Sequence, residues 1–73
     1  MEIFITYLGK KSIIDIREDD NVLTLKYKLW NQNYVDYHNL RLVCEGKILE
    51  DFITLRDYGI KSGSTVHVVR RRL

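Results

Sequence analysis

One segment of this chain has a helical period, and it is flanked on both sides by segments with the period of a strand. Near the N-terminus, "EIFITYL" places Ile3, Ile5 and Tyr7 on one side and Glu2, Phe4 and Thr6 on the other. That two-residue alternation belongs to a half-buried strand. In "EDDNVLTLKYKLWNQNY" the spacing changes, and Val22, Leu25 and Leu29 recur as on one face of a helix. Asp20 or Asn21 is placed to cap its start, and side-chain amides in "NQNY" compete for the backbone at its end. A lone amphipathic helix cannot bury its own stripe, so it has to lie against a sheet.

The remaining segments supply that sheet. "SIIDIRE" predicts a second strand, with Ile14 and Ile16 opposite Ile13, Asp15 and Arg17. The short link at Gly9 makes a hairpin with the first strand. "LRLVCEGKIL" predicts a strand, a turn at Gly46 and a short strand, and "TLRDYGI" a compact turn held by Tyr58. "GSTVHVVRRRL" predicts the last strand, with Val66 and Val68 opposite His67 and Val69. The order β-β-α-β-β-β predicts an α+β roll with the helix on one face of the sheet.

With 73 residues, no proline and four glycines, residues 1–73 read as a single domain without a linker. The formal charge of +2 is slight, and "RRRL" lacks interleaved aromatics, so nucleic acid is a disfavoured partner. Cys44 is the sole cysteine, which excludes an internal disulfide and suits a reducing compartment. "MEIFITYLGK" does not read as a signal peptide, and no apolar run is long enough to cross a membrane. A cytoplasmic or nuclear protein is expected. His38 and His67 have no serine or cysteine at catalytic spacing, and no metal-ligand cluster or phosphate loop is present in the sequence. Neither an enzyme nor a cofactor-binding protein is expected.

Several motifs resemble the ubiquitin family over nearly the whole chain. They are "GK" with "LED" between Gly46 and Asp51, "TL" with "DY" and Ile60, and "STVH" at Ser64 to His67. The opening "M-IF" and "L-GK" fit with a first turn one residue shorter. The resemblance implies a β-grasp roll, a mixed sheet of four to five strands with one helix across one face. It also implies a shallow apolar recognition patch at Leu8, Val43, Gly46, His67 and Val69. Helical ubiquitin-binding modules or proteasome subunits would be its partners, and His67 would make the contact weakly pH-dependent.

Other residues stand apart from that patch. Phe4 and Ile13 form an outward cross-strand pair, readable as a second small patch or as sheet stabilisation. Leu23, Tyr27, Trp30 and Tyr34 form a second helix stripe roughly 130° from the first. Phe52, in "DFIT", is placed beside its start by the resemblance. Those aromatics either thicken the core of a monomer or serve a second interface, weak self-association included.

The resemblance also bears on modification. Lys10, Lys26, Lys28 and Lys47 match lysines that accept linkages in ubiquitin, with Lys47 the most accessible and Lys26 partly buried beside a carboxylate. Arg71 matches an arginine read by activating enzyme, within the tail Arg70, Arg71, Arg72. The diglycine needed for conjugation does not appear. The expectation is a non-catalytic interaction module, as a free protein or as the N-terminal domain of a longer one. The alternative is a covalent modifier whose diglycine is missing from this chain.

Overall fold

The first and last strands meet in parallel at the middle of the sheet, and the rest of the fold follows from that pairing. The computed structural model describes residues 1–32 and 40–70. β1 (Glu2–Tyr7) pairs antiparallel with β2 (Lys10–Asp15) and parallel with β5 (Thr65–Arg70). β3 (Leu40–Cys44) pairs antiparallel with β5 and with the short β4 (Lys47–Ile48). Among the described residues the sheet has five strands, in the order β2-β1-β5-β3-β4.

The helix α1 (Val22–Asn31) begins where Asn21 accepts a hydrogen bond from the Thr24 amide at 2.9 Å. Of the two capping candidates, Asn21 is therefore the one used. The cap satisfies one of the amides that a helix start leaves without an intrahelical partner. Val22, Leu25 and Leu29 are fully buried against Ile3, Ile5, Ile14, Leu42, Val66 and Val68 of the sheet. The inner and outer faces therefore divide as the alternation predicts. A 3-10 turn at Arg56–Tyr58 follows β4, and the Tyr58 hydroxyl accepts from the Glu50 amide at 2.8 Å. No helix among the described residues is long and apolar enough to cross a membrane.

The boundaries shift at three places. β2 starts at Lys10 and ends at Asp15, so Ile16 and Arg17 lie beyond it, although Ile16 remains buried. β1 ends at Tyr7, leaving Leu8 in the turn, and β5 starts at Thr65. The cause at Leu8 is the hairpin itself. Tyr7 pairs with Lys10, so Leu8 and Gly9 alone form the loop, with φ of 50° and 77°. Glu45 and Gly46 repeat the pattern between Cys44 and Lys47, at 51° and 78°. Two-residue loops with both φ positive are the mirror-image turns whose twist suits a hairpin. Their first position favours Asn, Asp or Gly and disfavours other side chains.

Glu45→Asn is accordingly expected to raise the unfolding free energy by about 0.5–1 kcal/mol, read by urea denaturation. An unchanged or lowered midpoint would show that the turn carries no relievable strain.

Candidate functional site

The outer face of the sheet is where the apolar candidates gather. Strand register sets Thr6 of β1, His67 of β5, Val43 of β3 and Ile48 of β4 side by side in one row. Neighbouring strands lie about 4.8 Å apart, so these side chains stand within reach of one another. The Thr6 hydroxyl and His67 Nδ1 are 2.6 Å apart, which holds the imidazole on the face. Val69 lies two residues beyond His67 on β5, opposite Arg41 of β3. The parallel register brings the turn at Leu8 level with Val69. Leu8, Val69 and Ile48 are exposed and Val43 is partly so. Gly46 is exposed in the adjoining turn, with open space around the position a Cβ would take.

Ile48 was not among the residues singled out from sequence. Leu49 beside it is buried, and Ile48 points the other way. With 56% of its surface exposed, Ile48 extends the apolar row to the edge of the sheet. Phe4 and Ile13 are cross-strand partners on the same face, and the Lys11 ammonium sits 4.3 Å from the centre of the Phe4 ring. That geometry is a cation–π contact.

The helix stripe lies away from this surface. Asp51 and Ile53 carbonyls accept from the Leu23 and Val22 amides at 2.9 and 3.1 Å, which brings the Phe52 loop to the helix start. Leu23 is half-buried, whereas Tyr27, Trp30 and Phe52 are exposed and do not join the core. The reading of these aromatics as added core burial fails for Phe52, which is carried at the tip of a loop tied down on both sides. Tyr34, His38, Arg71 and Arg72 lie outside the described residues, as does the side chain of Arg70.

The lysines differ sharply in setting. Lys26 is mostly buried and its Nζ lies 2.6 Å from Asp51 Oδ1. Lys28 donates to the Asp15 carbonyl at 3.1 Å, while Lys10 and Lys47 are exposed beside the two turns. Cys44 faces the core, and its thiol donates to the Thr65 carbonyl at 3.3 Å. Burial pushes the Cys44 thiol up, Glu45 adds to this, and Lys47 opposes it. A thiol kept protonated is a poor nucleophile.

A shallow groove of about 450 Å³ lies at the other end of β1, near Met1. Four of its charged side chains form pairs, Arg17 with Asp19 at 3.2 Å and Arg56 with Glu18 at 3.1 Å.

Among the described residues, a five-stranded mixed sheet with a parallel centre is crossed on one face by one α-helix, which is the β-grasp class. The model of the ubiquitin family matches residues 3–73, and the chain belongs to that family. It is 31% identical over 61 residues to the ubiquitin-like protein NEDD8-like protein 2 of Dictyostelium discoideum, covering 84% of this chain and 76% of that protein. It is 33% identical over 66 residues to ubiquitin-like protein 4B of Monodelphis domestica, covering 90% of this chain but 36% of that protein. A 33% identity over 57 residues links it to the ubiquitin domain-containing protein DSK2 of Saccharomyces cerevisiae, covering 78% of this chain and 15% of the relative. The chain thus spans most of the first relative and a minor part of the other two.

Proposed function

We propose that this chain is a non-catalytic ubiquitin-like interaction module, cytoplasmic or nuclear, that docks helical ubiquitin-binding modules or proteasome subunits. The observation that carries this reading is the outward apolar row through Val43, with Leu8 and Val69 at its margin. A sheet with its helix on one face normally turns polar side chains to water on the other. A helical partner would cover the row with its own apolar ridge. The family membership and the match to a ubiquitin domain-containing protein support the same reading.

The surface is small and shallow, so affinities on the order of 10⁻⁴ to 10⁻⁶ M are expected. Val43→Ala is expected to weaken binding of a helical ubiquitin receptor about 10-fold in a calorimetric or NMR titration. No change on that substitution would sink the shared-surface reading.

A second reading, a covalent modifier, draws on the similarity to the NEDD8-like protein over most of its length. It requires a diglycine after Leu73. Intact mass of the protein from its source separates the readings: two added glycines make it a modifier, and a much larger mass makes it a docking domain.

A further inference from the structure

The aromatic stripe of α1 is apolar surface that the sheet does not cover. Leu23, Tyr27 and Trp30 recur at i, i+4 and i+7, and the hydrogen bonds from the Val22 and Leu23 amides hold the Phe52 loop at the start of the stripe. Tyr27 is 43%, Trp30 50% and Phe52 81% exposed. A buried aromatic side chain hides about 150–250 Å². At those exposures the three rings leave roughly 300–400 Å² of each copy in water. A patch of that size equals the largest on a typical monomer, and such patches commonly serve an interface.

Charge narrows what can cover it. Lys26 and Lys28 are the charged side chains of α1, which carries no carboxylate. Lys26 borders the stripe and is neutralised by Asp51 at 2.6 Å. Lys28 is turned to the other side of the helix, where it donates to the Asp15 carbonyl. The stripe therefore presents no net charge. An acidic or basic partner finds nothing there to select it, and a second copy meets no repulsion.

Shape points the same way. A two-fold interface uses one patch twice, so the patch must map onto itself. Leu23 and Trp30 stand about 10 Å apart along the helix, with Tyr27 within one residue of their midpoint. We propose that this face is a self-association surface, on which α1 of one copy packs antiparallel against α1 of a second. Tyr27 then lies beside its own copy at the two-fold axis. Leu23 faces Trp30 of the other copy, and Phe52 reaches past it toward the end of that helix. The antiparallel arrangement also sets the positive end of each helix dipole beside the negative end of the other. Together the two copies bury roughly 600–800 Å² of aromatic surface, less than stable complexes use. The dimer is accordingly weak, with a dissociation constant on the order of 10⁻⁴ to 10⁻³ M. Val43 lies on the opposite face of the sheet, so pairing leaves that surface open on both copies. The inference stands apart from the docking reading.

Sedimentation velocity and NMR diffusion, from about 20 μM to 2 mM, test it. The unsubstituted protein is expected to shift from monomer to dimer across that range. Tyr27→Lys and Tyr27→Glu each set like charges together at the axis and are expected to weaken association at least ten-fold. An equimolar mixture of the two variants is expected to associate again, since each charge then meets its opposite. Trp30→Gln is expected to weaken association about five-fold. Ile13→Gln, an exposed isoleucine on β2 away from the stripe, is expected to leave it unchanged. A monomer throughout the range overturns the proposal. So does a dimer that survives both Tyr27 and Trp30 substitutions, or one that Ile13→Gln weakens equally. Failure of the mixture to associate, with both variants folded by circular dichroism, overturns the two-fold arrangement.

Discussion

Leu42→Ala is expected to lower the unfolding free energy by about 3 kcal/mol, whereas Val43→Ala costs about 1 kcal/mol or less. The two residues are adjacent on β3 and differ by one methylene, so chemistry does not separate them. Parity does. Leu42 is fully buried, pairs with Val68 of β5, and belongs to the same core cluster as the helix side chains Leu25 and Leu29. Truncation there removes transfer energy and leaves a hole that helix and sheet only partly close. Val43 points outward, and its truncation returns a small area to water already present. In a domain of this size the Leu42 change corresponds to a fall of roughly 12–24 °C in melting temperature. Circular dichroism melts check it, and the docking titration supplies the opposite ranking. Equal thermal losses at both positions would mean that the outer face is covered in solution, by self-association or otherwise.

The faces were legible in the sequence because a strand has a strict period of two. Ile3, Ile5, Ile14, Val66 and Val68 are buried, as their alternation requires, and Val22, Leu25 and Leu29 lie inward as their spacing requires. Phe4 and Ile13 are partners because the hairpin loop fixes the register. Local chemistry hid the loop itself. Gly9 announces a turn, but a leucine with positive φ beside it does not, since leucine rarely takes that conformation. Ile48 was hidden for another reason. It lies in a strand of two residues, too short to display a period, and its orientation follows from the pairing with Val43. The parallel pairing of β1 with β5 joins strands far apart in sequence, which local spacing does not show; the motif resemblance implied a mixed sheet without naming the pair.

Partner identity is the least legible layer. The apolar row is visible as parity, but what covers it depends on a second molecule's shape and charge.

The ion pair at the helix start shows the same limit from inside the fold, and it yields the other large effect. The sequence indicated a partly buried Lys26 beside a carboxylate, without naming which one. The structure pairs it with Asp51 at 2.6 Å, and the two ends are unequally exposed, Lys26 at 12% and Asp51 at 39%. That inequality predicts an asymmetric response. Asp51→Ala leaves an ammonium largely out of water with no counter-charge and is expected to cost about 2 kcal/mol, below the range for fully buried pairs. Lys26→Met removes the charge, keeps most of the packed stem, and leaves a carboxylate that water can reach. Its expected cost is within about 1 kcal/mol of zero. Urea denaturation of both variants decides the matter, and equal costs would show that the pair acts as an ordinary surface contact. The pair ties the loop of Phe52 to the helix bearing Tyr27 and Trp30, on the side of the molecule away from Val43. Asp51→Ala should therefore lower stability while leaving the affinity for a helical ubiquitin receptor unchanged, so the surface that docks and the tie that holds the loop are separable by measurement.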